Sequence, residues 1–400
     1  MTIAVRYITS KRMVGNTETI LDEVLVGSIE NHIDDLETDG KFPAGLNGPW
    51  KNPQTSVRNS SHALITAIYC LKRNEVQAHR EVAESIISYL KSNEVRPYEE
   101  TFYHLREHEK SRCNGLIGQA WTIEALVEAA EYFDRPELVA LAEEVFLLHP
   151  FDEELAAWKY VDIDGEFQSL DKTFNHQLWF AMAGALLADH TEASPIVEEQ
   201  VRRFLEELPD NLNLYPSGLI FHPFKPEFDI KKYAKIFAEG VRSGVAHKMV
   251  SNVAQAIVGG EEGDPMKETS VGYHSFNMYA FAVLHEYFPN HPFWGHEKFE
   301  RALAYARSER FKDQLDKNPY GYPYNCTGIE MAYVLDVFAD DARDLQKWWL
   351  EEQFRRTLDP ETMEMSRNNP DPATLTARLY EATRLPDIEL SIETDIDDDN

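Results

Sequence analysis

The chain has 400 residues, of which 43% are hydrophobic and 12% aromatic, so it is long enough to bury a large core. Its 69 Asp and Glu residues outnumber its 39 Lys and Arg residues and give a net charge of −30, which argues against nucleic acid or an anionic membrane surface as a partner. Because the acidity runs along the whole chain, it favours adaptation to high salt over ordinary acidity with an acidic tail.

Helical periodicity dominates the chain, and alternating strand patterns are almost absent. Apolar helices that begin with polar residues alternate with amphipathic helices, which is the pattern of helical hairpins with one buried and one half-buried member. In chain order, the predicted helices cover about residues 17–39, 57–73, 76–92, 113–132, 136–148, 173–188, 194–208, 229–257, 270–288, 296–308, 329–338, 341–357 and 373–383.

A repeat of architecture accompanies this alternation. His62, Gln119, His176, His274 and Glu330 each lie near the start of an apolar helix, about 57, 57, 98 and 56 residues apart. The longest gap accommodates two units of about 49 residues, so each unit is one hairpin with an inner and an outer helix. Six such hairpins fit the chain.

Six hairpins that close into a ring form an all-α fold, the (α/α)6 toroid. We expect one domain over residues 1–388, followed by an acidic and disordered tail at residues 389–400. In such a ring the loops before the inner helices converge at one mouth. Polar residues from distant parts of the chain can therefore meet there.

Polar and aromatic side chains concentrate at these helix starts, most densely between Asp162 and Ala188. Sugar rings present C–H faces that pack on aromatic planes, and hydroxyl groups that need fixed donors and acceptors, so this mixture suits a carbohydrate pocket. The candidate substrate-binding residues are Arg58, His62, Asn114, Gln119, Trp121, Asp164, Asn175, Gln177, Trp179, Tyr273, Asn277, Tyr322 and Glu330.

These residues also have structural explanations, which remain open. A His or an aromatic residue at helical spacing is often part of the core, and Asp171 could be a favourable charge near a helix N-terminus. Asp162 and Asp164, in the segment DIDG, could be turn and cap residues. That segment resembles the first half of a calcium loop but lacks the remaining ligand positions, so we expect no metal site.

The cysteines and the apolar segments indicate the compartment. Cys70, Cys113 and Cys326 are widely separated and form no Cys-x-x-Cys motif, which predicts a reducing environment without disulfides or zinc. The first residues lack the apolar core of a signal peptide, and no stretch reaches the roughly 18 apolar residues of a membrane span. We expect a cytoplasmic protein that does not insert into membranes.

The hairpin spacing and the segments NGLIGQAW and DKTFNHQLWFA resemble the six-hairpin glycosidase-like superfamily. Within it, the chain is similar to the unsaturated glycuronyl hydrolases and, more narrowly, to a glycosylation protein group of haloarchaeal surface-glycoprotein N-glycosylation clusters. The resemblance covers residues 57–338. It implies that the protein acts on a sugar or glycan precursor that contains a hexuronic acid.

The chain departs from the hydrolases where they carry an acid/base Asp at inner-helix starts. It has Cys113-Asn114-Gly115 and Phe174-Asn175-His176 there, and Asp171 is the nearest carboxylate. Glycoside hydrolysis needs positioned carboxylates. The resemblance therefore favours the epimerases and isomerases of the same barrel, in which imidazoles move a proton next to a carbonyl.

In this hypothesis His176 and His274 face each other across the mouth as acid and base. Asp171 orients His176 or supplies a proton, and the planar fork of Arg58 pairs with the sugar carboxylate. No cofactor is implied. Two alternatives remain: a glycoside hydrolase that uses Asp171 with Asp162 or Asp164, and a glycan-binding protein without catalysis.

Overall fold

Helices make up most of the protein, which we describe from a computed structural model. The structure describes residues 16–33, 36, 39–106, 111–190, 193–224 and 260–393. The α-helices are α1 (Leu21–Glu30), α2 (Val57–Arg73), α3 (Gln77–Leu90), α4 (Gly115–Phe133), α5 (Pro136–Leu148), α6 (Phe174–Ala188), α7 (Pro195–Asn211), α8 (Lys267–Gly272), α9 (His274–Tyr287), α10 (Glu297–Ala306), α11 (Glu309–Leu315), α12 (Thr327–Phe338), α13 (Arg343–Thr357) and α14 (Pro372–Ala377). Short 3₁₀ helices cover Gly48–Trp50, Gly260–Gly263, Pro292–Gly295 and Arg378–Arg384.

Six helical segments form a closed inner ring. Helix α2 packs against α4, α4 against α6, α6 against α9, and α9 against α12. The sixth member is α14 with the 3₁₀ helix Arg378–Arg384, which fills the space between α12 and α2. Helices α3, α5, α7, α10, α13 and α1 form the outer layer against these six. The ring confirms the predicted (α/α)6 toroid.

The composition of each layer explains its place. Helix α6 is buried along almost its whole length because Ala, Leu, Phe and Trp side chains cover all its faces. Two of the outer helices, α5 and α7, begin with prolines, Pro136 and Pro195, whose missing N–H costs nothing in a first turn. Gly184 lets α6 approach its outer neighbours, since a Cβ there would lie 2.7 Å from the Phe146 ring and 2.8 Å from Val201.

The assignment of the hairpins differs from the prediction in one place. The gap of 98 residues between His176 and His274 was expected to hold an extra unit, but α6 and α9 pack directly against each other. The sixth inner member comes instead from the C-terminal segment Pro372–Arg384. The helix or helices predicted at 229–257 lie outside the described residues.

A small antiparallel sheet precedes α6, which the sequence analysis did not predict. Its strands are β2 (Phe151–Asp152), β3 (Ala157–Val161) and β4 (Phe167–Leu170), in the order β2-β3-β4. These strands are too short to show a clear alternation of polar and apolar residues. The sheet matters for the site because β4 ends at Leu170 and delivers Asp171 to the start of α6.

The C-terminal tail begins with a strand, which corrects the predicted disorder from residue 389 onward. Strand β5 (Glu389–Glu393) pairs antiparallel with β1 (Asn16–Ile20), and Leu390 and Ile392 are buried. Ser391 separates these two apolar side chains and Glu389 and Glu393 flank them, so the alternation is only a short run within an acidic tail. Residues 394–400 lie outside the described residues.

None of the described helices combines the length and the apolar character that crossing a membrane would require. Cys70, Cys113 and Cys326 are free thiols, and all three are buried.

Candidate functional site

A cavity of about 400 Å³ opens at one end of the ring, where the inner helices α4 and α6 begin. Residues of α2, α9 and β3, together with the loops before α2, α4, α6, α9 and α12, supply the rest of its walls. Seven of the predicted site residues line it: Arg58, Asn114, Trp121, Asp171, Asn175, His176 and Tyr273. The structure therefore brings residues from four inner helices and the loops before them into one cavity of a size usual for small ligands.

Asp171 and His176 form a hydrogen-bonded pair on the cavity wall. His176 Nδ1 lies 2.8 Å from Asp171 Oδ2. The carboxylate also accepts hydrogen bonds from the backbone N–H groups of Leu116, at 3.1 Å, and Thr173, at 3.2 Å. Only 8% of the Asp171 side chain is exposed, against 22% for His176. The carboxylate is therefore buried and held by backbone N–H groups, while the imidazole faces the cavity.

The pKa of the Asp171 carboxyl group is lower than its ordinary value. Burial alone would raise this pKa, but His176 and the two backbone donors favour the charged form and outweigh burial. An ionised Asp171 accepts the Nδ1 proton of His176, which leaves Nε2 of that ring as its basic nitrogen.

Asn114 and Gly115 shape the backbone next to this pair. Both residues have φ of 60°, in the left-handed region. A Cβ on Gly115 would lie 2.4 Å from Asp171 Oδ2 and 2.9 Å from His176 Nδ1. Only glycine therefore allows the start of α4 to approach the pair closely enough for the Leu116 N–H to reach the carboxylate.

A second wall contains the guanidinium group of Arg58. Its central carbon lies 4.0 Å from the centre of the Trp121 ring, and its Nη1 donates to Asn47 Oδ1 at 3.1 Å. Arg58 Nε is buried and has no hydrogen-bond partner in the described part of the chain. Arg58 is thus a fixed cation on the cavity with donor capacity to spare.

Aromatic residues extend this wall toward the opening. The Tyr324 hydroxyl donates to Asn47 Oδ1 at 2.8 Å and lies 3.5 Å from the Tyr273 hydroxyl. Trp50 Nε1 donates to the Tyr273 hydroxyl at 2.9 Å. These residues all line the cavity. The wall therefore combines flat apolar faces with hydroxyl and amide groups, as a sugar site requires.

His222 is a site residue that the sequence analysis missed. It lines the cavity, its ring centre lies 4.8 Å from that of Tyr273, and its buried Nδ1 has no partner among the described residues. Burial, together with the nearby imidazole of His176, lowers the pKa of His222 to about 4. His222 is therefore neutral at pH 7.

The backbone of His222 explains how a loop residue reaches the site. The His222 carbonyl accepts a hydrogen bond of 2.9 Å from the N–H of Phe174, the first residue of α6. The Phe224 N–H donates to the Lys172 carbonyl at 2.8 Å. The loop thus lies along the start of α6 and places His222 near His176.

His274 does not line the cavity, so the predicted opposition of His176 and His274 is wrong. His274 Nε2 lies 3.0 Å from the Ala302 carbonyl, and its Nδ1 accepts from the Ile220 N–H at 3.3 Å. Burial lowers its pKa to about 4. One residue shifts the direction of a helical side chain by about 100°. Tyr273 therefore reaches the cavity, and His274 fastens α9 to α10.

Gln119 and Gln177 also lie outside the cavity lining and have a shared structural role. Gln119 accepts from the Phe102 N–H at 2.8 Å and donates to the Phe102 carbonyl at 3.0 Å. Gln177 makes the same two bonds to Trp158, at 2.9 and 2.7 Å, and also donates to the Asp171 carbonyl. Each side-chain amide therefore fixes a segment that precedes its own helix, and Gln177 also helps to position Asp171.

Six further predicted binding residues lie outside the lining, and five of them have identifiable partners. His62 stacks on Tyr380 and Trp179 on Phe276, both within the ring. The remaining four are Asp164 in the β3–β4 turn with Arg112, Tyr322 beneath Arg356, Glu330 paired with Arg378, and the buried Asn277.

Other lining residues that the prediction missed come from the loop before α2 and from a strand. Asn47, Trp50 and Asn52 lie in one loop, and Tyr160 lies in β3. The loop's proline and glycine content marks it as irregular but gives no direction to its side chains. Among the described residues, no group of three His, Cys, Asp or Glu side chains is arranged to hold a metal ion.

An archaeal protein is similar to this chain over nearly its full length. No protein family model matches the chain. Archaeal glycosylation protein Q from Haloferax volcanii is 40% identical over 376 residues, which are 94% of this chain and 100% of that protein. The narrower resemblance inferred from the two sequence segments is thereby confirmed.

Solved structures share the fold at much lower identity. Cellobiose 2-epimerase from Bacillus thermoamylovorans is 11% identical, with a TM-score of 0.59 over 90% of this chain and 98% of that one. Unsaturated glucuronyl hydrolase from Bacillus sp. GL1 is 10% identical, with a TM-score of 0.55 over 90% and 95%. These likenesses confirm the six-hairpin architecture. By its sequence, the chain belongs to the family of archaeal glycosylation protein Q.

Proposed function

We propose that this protein is a sugar isomerase that moves a proton on a hexuronic acid unit during the assembly of a surface glycan. The observation that supports this most directly is the Asp171–His176 pair, whose imidazole faces the cavity. The name of the relative from Haloferax volcanii places that protein in glycosylation, and the fold is shared with a sugar epimerase.

The pair supplies a general base. The ionised carboxylate of Asp171 holds the Nδ1 proton of His176, so the lone pair of Nε2 is free to take a proton from substrate. Asp171 acts through His176 and is a positioning residue. The Leu116 and Thr173 amides fix the carboxylate in turn.

His222 supplies a neutral hydrogen-bond donor. With a pKa of about 4 it does not carry the extra proton that a second acid of a two-base epimerase would need at pH 7. A neutral imidazole can instead polarise a carbonyl oxygen and relay protons between adjacent oxygens. One base and one neutral donor favour aldose–ketose isomerisation over epimerisation.

The atoms balance in such a reaction. His176 takes the proton from the carbon beside the aldehyde, and the C–H electron pair becomes the double bond of an enediol. His222 gives its N–H proton to the former aldehyde oxygen and recovers one from the neighbouring hydroxyl. His176 then returns its proton to the aldehyde carbon, which completes the ketose.

Arg58 favours an acidic sugar. Its guanidinium group is the cation on the cavity lining, and Nε is left without a partner in the described part of the chain. A carboxylate of the substrate could pair with this cation through its terminal nitrogens, because a guanidinium group offers several N–H donors in one plane.

The hydrolase alternative has less support. Asp171 is the one carboxylate on the lining of the cavity in the described chain, and its lowered pKa makes it a poor general acid. The proposed partners lie elsewhere: Asp162 accepts from the backbone of Arg112 and Cys113, and Asp164 pairs with the Arg112 side chain.

Deuterium transfer tests the proposal. The purified protein would be incubated in D₂O with glucuronic, galacturonic or mannuronic acid, and ketose formation and deuterium incorporation followed by NMR. We expect solvent deuterium in the ketose made by the wild-type protein, and a loss of about 10²- to 10⁴-fold in His176→Gln. Unchanged helical circular dichroism of the variant is the control for folding.

The same variant would be placed in a deletion strain of a haloarchaeon that carries this gene, and the surface glycan analysed by mass spectrometry. Immature glycan is expected. A mature glycan made with His176→Gln, together with no deuterium transfer to any of the three acids by wild-type protein, would refute the isomerase. Release of reducing sugar from unsaturated glucuronides would instead support hydrolysis.

A further inference from the structure

Trp50 stands apart from the other aromatic residues of the cavity because it is exposed. It lines the cavity, yet 40% of its surface is accessible, whereas Trp121 on the same lining is 4% exposed and Tyr273 is 6% exposed. Its ring centre lies 5.3 Å from that of Tyr320. One indole face therefore borders the opening of the cavity rather than its floor.

The loop that carries Trp50 is held in an unusual backbone conformation. Asn47, Gly48 and Lys51 all have positive φ, between 53° and 56°. Asparagine and lysine adopt this left-handed conformation at a cost, so the surrounding contacts must enforce it. A Cβ on Gly48 would lie 2.0 Å from the Tyr324 ring, which shows how closely the loop packs on that wall.

Three attachments hold this loop in place. Asp371 Oδ2 accepts from the N–H groups of Leu46 and Gly48, both at 2.9 Å. Asn47 Oδ1 accepts from Arg58 and from Tyr324. Trp50 Nε1 donates to Tyr273. The indole is therefore fixed before any ligand arrives, which lowers the entropic cost of stacking against it.

The size of the cavity leaves room for more than one sugar. At about 30 Å³ per water, 400 Å³ corresponds to about 13 water-sized groups. A hexuronic acid has about as many non-hydrogen atoms, but bonded atoms lie closer together than neighbouring waters, so a single unit occupies roughly half of the space. Asn52, partly buried on the same lining, adds an amide beside Trp50.

We propose that Trp50 and Asn52 form a second sugar subsite at the mouth, so that a glycan of at least two units is a better substrate than a free monosaccharide. The reacting unit lies inside, between Arg58 and the Asp171–His176 pair, and the next unit stacks on the indole. This inference rests on the proposed sugar activity and specifies its substrate class.

Calorimetric titration of the full-length protein tests the subsite. The one-unit probes are galacturonic acid, glucuronic acid and glucose, and the two-unit probes are digalacturonic acid, diglucuronic acid, maltose and cellobiose, which cover both linkage configurations. We expect at least one two-unit sugar to bind at least tenfold more tightly than its one-unit counterpart. Trp50→Ala should abolish that preference.

Two variants separate the subsite from effects on folding. Trp348→Ala is the matched control, because Trp348 is 39% exposed and lies on outer helix α13, away from the cavity. It should keep the full preference. Trp50→Phe keeps an aromatic face but loses the bond from Nε1 to Tyr273, so it should keep part of the preference.

The outcomes distinguish this inference from the proposed function. Equal binding of one-unit and two-unit sugars, including no binding of either, overturns the subsite, and so does a preference that survives in Trp50→Ala. If neutral disaccharides show the Trp50-dependent preference while both uronic acid series fail to bind, the subsite stands and the hexuronic acid assignment falls. Deuterium transfer to single hexuronic acids tests the isomerase without reference to Trp50.

Discussion

Replacing Asp171 with Asn separates the charge of this residue from its shape. Three donors converge on the carboxylate: Leu116 N–H and His176 Nδ1–H on Oδ2, and Thr173 N–H on Oδ1. An amide has one acceptor oxygen and one NH₂ group. If the oxygen faces His176, the NH₂ group meets the Thr173 N–H. If the amide is flipped, His176 is forced into the other tautomer, with the proton on Nε2.

Both orientations have a definite cost. A buried donor left unsatisfied costs about 1–3 kcal/mol, so we expect the free energy of unfolding to fall by that amount. In the flipped orientation Nε2 no longer has a lone pair for the substrate. We therefore expect deuterium transfer to fall by about 10²- to 10⁴-fold, the range typical of lost general base catalysis.

The stability difference should also depend on pH. The folded chain lowers the pKa of Asp171, so its ionised carboxylate contributes stability above the unfolded pKa of about 3.9. That contribution is lost as the pH falls through the folded value. The gap in unfolding free energy between wild type and Asp171→Asn should thus be full at pH 7 and shrink below about pH 4.

Urea unfolding in molar potassium chloride, followed by circular dichroism at pH 7 and at pH 3.5, measures the difference in unfolding free energy between wild type and Asp171→Asn. Deuterium transfer at pH 7 measures general base catalysis by His176. A variant with wild-type transfer would show that His176 does not depend on Asp171. A gap that stays constant with pH would show that the carboxylate charge does not stabilise the fold.

Two further predictions concern the backbone beside the pair and the C-terminal strand. Gly115→Ala should reduce deuterium transfer at least tenfold and destabilise the fold by about 1–2 kcal/mol, because its Cβ would displace the pair and φ is 60°. Gly295→Ala, with nothing within 4 Å of its Cβ, is the control, and equal activity of the two variants would refute this reasoning. Leu390→Ala should lower the free energy of unfolding in urea by about 2–5 kcal/mol because this side chain is buried, whereas exposed Glu389→Ala should change it by less than about 0.5 kcal/mol. No effect of Leu390→Ala would mean that the tail is disordered after all.

The fold could be predicted because its signal is local and repeated. Inner helices such as α6 carry apolar residues on every face, and their starts recur at regular spacing. Asn114, Asn175 and His176 were placed on the cavity by the same reasoning, since the starts of inner helices meet at one end of a ring. No knowledge of long-range contacts was needed for these residues.

The other site residues and the last member of the ring could not be placed from the sequence, because their positions depend on contacts that a sequence pattern does not encode. Whether Tyr273 or His274 faces the cavity is decided by the rotation of α9 against α10, where the Ala302 carbonyl accepts a hydrogen bond from the His274 imidazole. His222 and Trp50 lie in loops, and their directions follow from hydrogen bonds to Phe174 and Tyr273. Spacing alone also could not show that the C-terminal segment is the sixth inner member.

That last placement has a consequence for biosynthesis. The segment Pro372–Arg384 completes the ring beside α2, and β5 then fastens onto β1 at the opposite end of the chain. Because Asp371 also holds the Leu46 and Gly48 amides, the wall that carries Trp50 depends on a residue 325 positions after Leu46. A nascent chain on the ribosome can build hairpins one after another, but its pocket is complete only after the segment Pro372–Arg384 has been made. A premature stop before this segment therefore yields a protein with an incomplete pocket, however many hairpins it has folded.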